Sequence, residues 1–222
     1  MLNWLARVLQ STLGRKTGMA ISGLLLVGFA ITHLLGNLTL LKSHEAFNAY
    51  AQKLEDLGPL LTLAEVGLLA LFLFHIVLAL LVTMRSKSAR DVAYRVSAST
   101  GQKTIGSSTM RVSGLLLLVF LIIHILDFRF KKLMGYEGSE DLAKLVHDRI
   151  TSPVGLGIYV TAALLLGFHL SHGFKSAFQT LGLRHPKFTG TIQCLGWVLA
   201  IGLALGFALI PVALLLGAGG AK

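Results

Sequence analysis

The stretch MAISGLLLVGFAITHLLGNL, residues 19–38, is long and apolar enough to cross a lipid bilayer, yet it carries His33 in its second half. About 20 predominantly apolar residues span a hydrocarbon core roughly 30 Å thick. An ionisable side chain is costly in that environment and usually faces a cavity, a partner or a cofactor. This segment therefore predicts both a membrane helix and a functional group inside it.

Four more apolar stretches follow the first, and together they predict an all-α membrane protein. The five predicted helices span about 18–41, 59–84, 110–130, 153–179 and 190–217. The chain is 54% hydrophobic and only 14% charged, and the connections are too short to hold a soluble domain. We therefore expect residues 1–222 to form a single transmembrane domain. The lone Cys194 excludes an internal disulfide and a cysteine-ligated iron–sulfur cluster.

Charge predicts the orientation of the chain, because basic residues stay preferentially on the cytoplasmic side of a membrane. The N-terminal segment and the second and fourth connections are basic, whereas acids in the first and third connections largely offset the basic residues there. We expect the N-terminus inside and the C-terminus outside. The net charge of +10 then lies mostly on the inner face, where it meets lipid headgroups or a docked protein. Nucleic acid is not an expected partner.

Each of the first four predicted helices contains a histidine deep in its apolar run, namely His33, His75, His124 and His169. A single one is readily explained as a hydrogen-bonded core residue, but one in every helix indicates a shared ligand. Proton or metal transport also uses buried histidines. Such transport sites usually recruit acids or cysteine as well, whereas the acids bordering these runs lie near helix ends.

The first four helices read as two copies of one hairpin. The serine–glycine pair at 22–23 is followed by nine residues and then His33, and the pair at 113–114 is followed by nine residues and then His124. The histidines of the second and fourth helices both follow a phenylalanine. The fifth helix stands outside this repeat. Parallel repeats of this kind imply a pseudo-twofold axis along the membrane normal.

Depth along the helices pairs the histidines. At 1.5 Å per residue, His33 and His124 lie roughly 20–22 Å from the inner ends of their helices. His75 and His169 lie only about 9–16 Å from theirs. Two imidazoles from facing helices at one depth are suited to bind a haem iron from both sides. The spacing thus predicts a four-helix bundle around two stacked b haems, with iron ligated by His33 and His124 in the outer site and by His75 and His169 in the inner one.

The fourth helix offers a second histidine, His172, because residues i and i+3 are neighbours on a helix. His169 is preferred as the ligand because its offset of 94 residues from His75 is nearer the 91 residues between His33 and His124. His172 then binds a haem propionate or shapes the inner end, with simple packing as the alternative. Gly23, Gly114 and Gly173 are expected either to make room for porphyrin or to serve helix packing.

Several motifs carry a resemblance to a known family. They are GRKTGMAISG (14–23), HLLGN (33–37), EAFNAYAQKL (45–54), HILDFRF (124–130), TSPVGLGIYV (151–160) and FHLSHGFKSAFQTLGLRHPKF (168–188). Over nearly its whole length the chain resembles the cytochrome b membrane anchor of succinate:quinone and quinol:fumarate oxidoreductases, in its single-chain, five-helix, di-haem form. The family pairs its haem ligands between helices 1 and 3 and between helices 2 and 4, as depth does here.

The resemblance implies a role in an enzyme complex rather than an active site on this chain. The implied partners are a flavoprotein and an iron–sulfur subunit on the cytoplasmic face of a bacterial inner membrane. The implied function is electron transfer between the iron–sulfur subunit and quinone, as succinate dehydrogenase or fumarate reductase, with menaquinone favoured over ubiquinone. A di-haem subunit of a hydrogenase or formate dehydrogenase is the alternative, and the cytoplasmic positive charge argues against it.

Polar residues near the helix ends complete the candidate site. Arg15, Lys16, Ser22 and Arg111 are candidates for the propionates of the inner haem or for supporting its ligands, and Arg129 for the outer haem, since propionates need charge-assisted donors. Ordinary snorkelling residues are the alternative. Glu55, Asp56 and Asp127 are candidates for the proton donor of a quinone, with Glu55 preferred. The histidines in the connections, His44, His147 and His185, are expected to be solvated.

Overall fold

The computed structural model describes residues 11–88, 105–135 and 141–220 of the chain. Every regular element within these ranges is helical. A short helix predicted in residues 1–10 lies outside the described residues, as do charges on which the predicted orientation partly rests, namely Arg7, Arg90, Asp91, Arg95, Lys103, Glu137 and Glu140.

Five helices in the described residues are long and apolar enough to cross a membrane. They are α1 (Thr12–Leu38), α3 (Pro59–Ser88), α4 (Ile105–Ile125), α6 (Pro153–Thr180) and α7 (Pro186–Leu215). Two short helices, α2 (His44–Glu55) and α5 (Leu142–Thr151), lie in the first and third connections. The prediction of an all-α membrane protein with five spanning helices is confirmed, and the chain is a multi-pass membrane protein.

Helix ends follow capping residues rather than the limits of the apolar runs. The Ser11 side chain accepts a hydrogen bond from the Gly14 amide at 2.9 Å, so α1 begins at Thr12, before the predicted residue 18. His185 caps α7 in the same way, and Pro186 is suited to the first helical position, so α7 begins before the predicted residue 190. Both predicted starts were late because polar caps lie outside the hydrophobic pattern.

Helix α4 changes its winding just beyond His124. It continues through a π-helical turn, Leu126–Phe130, and a last turn, Lys131–Leu133. A π turn inserts extra backbone into the helix and often occurs at functional sites. Here it lies beside the outer histidines and brings Asp127 onto the face that meets α6, where its carboxylate contacts Tyr159.

Helix α6 lies at the centre of the packing. It contacts α7 most extensively, and it also packs against α4 and α1, while α1 packs against α3 and α7. The two predicted hairpins therefore correspond to α1–α3 and α4–α6, and α1 meets α6 where the hairpins join. The fifth spanning helix is more than an addition to the bundle, because α7 closes one side of it through a cluster formed by Val27, Leu170, Ala200 and Leu203.

The short helices α2 and α5 cover one end of the bundle, the end at which Leu40 lies. Phe47 of α2 and Val146 of α5 pack with Leu40 and with Ile210 of α7 in a buried apolar cluster. His44 and His147 also meet here, with ring centroids 5.4 Å apart, and the Nε2 atom of His44 is buried. The prediction of a solvated side chain was therefore wrong for His44, since it lies between two helices that the sequence pattern did not reveal. His185, in contrast, is exposed.

Candidate functional site

The inner histidines are each held by a serine of the neighbouring helix in the same hairpin. Ser22 Oγ of α1 lies 3.1 Å from His75 Nδ1 of α3. Ser113 Oγ of α4 lies 3.3 Å from His169 Nδ1 of α6. Ser22 is 1% exposed and Ser113 is 2% exposed, which marks both as buried polar residues of the membrane region. The structure thus repeats one serine–histidine contact in both halves of the molecule.

The glycine after each serine leaves room for the same imidazole ring. A Cβ atom at Gly23 would lie 3.1 Å from His75 Cε1, and one at Gly114 would lie 3.5 Å from His169 Cε1. The glycines therefore let each histidine approach the adjacent helix closely. Gly173 differs, because a Cβ there would meet the end of Met110 at 3.7 Å. In both hairpins, the space beside the glycine is therefore taken by the histidine ring of the neighbouring helix.

Histidines 75 and 169 share one region of the bundle. His75 and His172 are both near enough to act electrostatically on His169. All three side chains are partly buried. The two inner histidines that depth had paired thus lie within electrostatic range of each other, with His172 one turn further along α6.

The outer histidines face each other more directly. The ring centroids of His33 and His124 are 5.8 Å apart and their planes are perpendicular. Two imidazoles on opposite sides of one metal ion, with metal–nitrogen bonds of about 2.0–2.1 Å, have centroids about 6 Å apart. Aromatic rings surround the pair: Phe29 and Phe207 beside His33, and Phe120, Phe128 and Tyr159 beside His124.

The polar contacts of the outer histidines differ from those of the inner ones. Asn37 Nδ2 lies 3.4 Å from His33 Nε2, a long contact, and donates to the His33 carbonyl oxygen at 2.8 Å. His124 Nδ1 is buried and has no hydrogen-bond partner among the described residues. Buried polar atoms are normally paired, so an orphaned imidazole nitrogen between aromatic rings points to a group that this pair is built to receive.

The donor set fits a haem iron. Paired neutral imidazoles from facing helices, set in an apolar and aromatic bundle core, are the ligands and surroundings that b-type haem uses. Sites for divalent metals would call for additional acids or cysteine. No group of three or more histidine, cysteine, aspartate or glutamate side chains suited to a metal ion occurs in the part of the chain that the structure describes.

Asp127 is already engaged in a polar cluster beside His124. Its Oδ2 atom lies 2.7 Å from Arg149 Nε and accepts a hydrogen bond from the Tyr159 hydroxyl at 3.1 Å. Both charged side chains are largely shielded, with 14% of Asp127 and 20% of Arg149 exposed. Arg149 and Tyr159 were not predicted as site residues. Arg149 lies on the short helix α5, and only the tertiary structure shows that α5 covers the bundle.

The other charged candidates lie nearer the surface. Glu55 pairs with Lys132, and Glu65 pairs with Arg129 at 2.7 Å, so two ion pairs join the region before and at the start of α3 to the end of α4. Asp56 accepts from Gln52 at 2.9 Å. Arg15 is partly buried and Lys16 exposed in the first turns of α1, and Arg111 is exposed on α4. The structure brings none of these last three into the contacts of the inner histidines described above.

Comparison with known proteins gives one informative relative. The succinate dehydrogenase cytochrome b558 subunit of Bacillus subtilis strain 168 is 28% identical over 167 residues, covering 72% of this chain and 76% of that protein. The chain is a relative of a succinate dehydrogenase cytochrome b subunit. This confirms the resemblance carried by the sequence motifs. No family model matches the chain, and no solved structure does.

The cytochrome b relationship and the histidine geometry rest on different observations. The relationship rests on sequence identity along most of the chain, whereas the pairing of His33 with His124 rests on ring positions in the bundle. The two lines of evidence therefore bear on the same function from different directions.

Proposed function

We propose that the chain is the membrane anchor and electron-transfer subunit of a succinate dehydrogenase or fumarate reductase complex, and that it holds two b haems. The observation that carries this proposal is the approach of His33 and His124, from two different spanning helices, with ring centroids 5.8 Å apart. The named relative supports the class of complex. A bis-imidazole haem, when bound, changes reversibly between its ferrous and ferric states and so carries one electron.

The residues of the chain have defined tasks under this proposal. His33 and His124 hold the outer haem, and His75 and His169 hold the inner one. Ser22 and Ser113 orient the inner ligands, and the aromatic rings around His124 keep water from the outer pair. His172 binds a propionate or shapes the inner end of the bundle. Arg15 and Lys16 on α1 and Arg111 on α4 bind the propionates of the inner haem or support its ligands.

Haem content tests this function. We expect two b haems per polypeptide by pyridine haemochrome on the purified chain, with a reduced-minus-oxidised spectrum of b type. Replacing one ligand of each pair separately, as in His124→Ala and His75→Ala, should remove one haem each and leave the other. A folded preparation that contains no haem, although it was grown with ample haem, would contradict the proposal. It would favour proton or metal transport as the role of the histidines.

The surroundings of the chain follow from its charge and its relative. A bacterial cytoplasmic membrane holds the chain, with the N-terminus inside and the C-terminus outside. An iron–sulfur subunit, itself bound to a flavoprotein, docks on the basic inner face. Electrons pass between that subunit and membrane quinone in either direction, with menaquinone favoured over ubiquinone. The cytoplasmic excess of basic residues favours this arrangement over a hydrogenase or formate dehydrogenase subunit with periplasmic partners.

Glu55 is the preferred proton donor for a quinone at the outer end, and Asp127 is the second candidate. This order is supported by the side-chain exposure and the ion pairs of the two carboxylates. The Glu55 side chain is 41% exposed and pairs with Lys132, so it is open to exchange protons with water. Asp127 is more shielded and is held by Arg149 and Tyr159, which suits it to a fixed structural role.

Substitution tests whether Glu55 or Asp127 is the proton donor. We expect Glu55→Gln to abolish quinone reduction while both haems remain reducible by succinate in the assembled complex, because electron entry does not need the proton donor. Glu45→Gln, at an exposed position on the same helix α2, is the matched control and should retain quinone reduction. Normal quinone reduction in Glu55→Gln, together with its loss in Asp127→Asn, would assign the role to Asp127 instead.

A further inference from the structure

Each buried serine beside an inner histidine has a carbonyl oxygen of its own helix within hydrogen-bond distance. Ser22 Oγ donates within its own helix, to the Gly18 carbonyl oxygen at 2.8 Å or the Met19 carbonyl oxygen at 3.1 Å. Ser113 Oγ donates to the Met110 carbonyl oxygen at 3.2 Å. A serine hydroxyl has only one proton. Once that proton is given to a helix carbonyl, the oxygen meets the histidine as an acceptor.

In that arrangement the histidine nitrogen facing each serine carries a proton, so that His75 Nδ1 donates to Ser22 Oγ and His169 Nδ1 donates to Ser113 Oγ, across 3.1 Å and 3.3 Å. The Met19 carbonyl oxygen is a further acceptor near His75. A neutral imidazole has one protonated and one unprotonated nitrogen, so the lone pair lies on Nε2 in both rings. That is the nitrogen each ring directs away from the serine.

The outer histidines have no such arrangement among the described residues. Asn37 meets His33 at Nε2 rather than Nδ1, and His124 Nδ1 has no partner. The serine contact is therefore specific to one pair of histidines. It also occurs twice, once in each hairpin, with a glycine beside each serine that admits the ring.

We propose that Ser22 and Ser113 are a matched pair of positioning residues that fix the Nδ1–H tautomer of His75 and His169 and strengthen both as ligands of one inner redox centre. An imidazole that donates its distal N–H to an acceptor is a more basic ligand and is held in a set orientation. A stronger donor favours the more highly charged ferric iron. The serines thus set the inner centre apart from the outer one, whose ligands lack these partners. This inference rests on the proposed haem function.

The test is a redox titration of Ser22→Ala, Ser113→Ala and the double variant in the haem-loaded protein, followed by the visible spectrum. The wild-type chain should show two transitions. We expect each single variant to move the same transition to a more positive potential, although the serines belong to different hairpins, and the double variant to move it further. The other transition should stay at its wild-type position. Retention of the affected haem should weaken by roughly 10- to 100-fold.

Two further variants separate positioning from packing. Ser22→Thr retains a hydroxyl and should restore the wild-type titration. Ser171→Ala is the matched control, because Ser171 on α6 donates to the Phe168 carbonyl oxygen of its own helix and should leave both transitions in place. A folded alanine variant that has lost only one haem supports the inference, and the lost haem should be the same for both serines.

Other outcomes overturn the inference. Unchanged titrations in both alanine variants, or shifts of different transitions by the two serines, would show that the contacts do not define one centre. Loss of both haems from a folded variant, or a Ser22→Thr titration equal to that of Ser22→Ala, would show a packing role only. Failure of the proposed function is distinct, because the wild-type chain would then contain no haem at all.

Discussion

At the scale of single residues, short polar side chains determine which atoms of the site are available. Ser22 and Ser113 each lie within hydrogen-bond distance of both a helix carbonyl oxygen and an imidazole nitrogen. Asp127 is held by an arginine from a different helix. Ser22 was predictable because a serine–glycine pair recurs in both halves of the sequence. Arg149 was not, because no local pattern on α5 points to a partner on α4.

Asp141 offers a test of pH dependence at this scale, outside the spanning helices. Its Oδ1 atom accepts hydrogen bonds from Asn48 Nδ2 at 2.8 Å and from the Lys144 amide at 3.0 Å, so it caps α5 and ties it to α2. The Asn48 hydrogen bond, followed by that of the Lys144 amide, lowers the pKa of the Asp141 carboxyl below its ordinary value of 3.8. The charged form is therefore the one that stabilises the fold.

We expect Asp141→Ala to lose about 1 kcal/mol of unfolding free energy at neutral pH, the usual cost of a lost N-cap. A lowered pKa in the folded state means that this contribution is present above pH 3.8 and is lost as the pH falls through the folded value. The stability difference between wild type and variant should therefore shrink in acid. Thermal unfolding in detergent, followed by circular dichroism across this range, measures it.

Asp148→Ala is the control for this series, because Asp148 lies on the same helix with 63% of its side chain exposed. A surface substitution of this kind should change stability by less than about 0.5 kcal/mol. A constant difference between Asp141→Ala and wild type from neutral pH into acid would contradict the capping role of the carboxylate.

At the scale of helices, close approach between α6 and α7 determines how the fifth span joins the bundle. A Cβ atom at Gly167 would lie 2.8 Å from Ala204 Cβ and 3.1 Å from the Ala200 carbonyl oxygen. These neighbours are a methyl group and backbone on a long helix, so neither can turn away. Small residues at such crossings let membrane helices pack through dispersion contacts. The glycine is therefore a packing residue, whatever the bundle holds.

We expect Gly167→Ala to destabilise the chain by about 1–3 kcal/mol, the usual cost of overpacking. Gly157→Ala is the matched control on the same helix, because a Cβ atom there meets nothing within 4 Å. That control should be neutral or stabilising by roughly 0.5–1 kcal/mol, since alanine favours helix over glycine. Thermal unfolding of both variants in the same detergent compares them, and equal stability of Gly167→Ala and wild type would contradict the packing.

At the scale of the whole molecule, the exposed apolar surface and the charges determine how the chain sits in its membrane. Large hydrophobic side chains such as Leu63, Leu73 and Leu80 of α3 lie at the surface, as lipid contact requires. The described residues alone do not include the full basic connection between α3 and α4. Orientation is therefore predicted from charge and is open to direct measurement.

Single cysteines test the orientation in a Cys194→Ser background, since Cys194 is the one cysteine of the chain. Lys53→Cys lies on α2, at the predicted outer face, and Lys187→Cys lies at the start of α7, at the predicted inner face; both lysines are exposed. We expect a membrane-impermeant maleimide to label Lys53→Cys in intact cells and Lys187→Cys only after permeabilisation. The reverse pattern would place the N-terminus outside.

The sequence by itself determined the number and class of the spanning helices, because crossing a bilayer demands about 20 apolar residues and those runs are visible without any fold. It also indicated which histidines share a depth, since helical rise converts residue spacing into distance. Tertiary structure alone decided the long-range contacts: Ser22 with the His75 imidazole, Arg149 with Asp127, and α2 with α5 over one end of the bundle. Such contacts join residues far apart in the chain. They depend on how the helices rotate and pack against each other, which hydrophobic periodicity does not reveal.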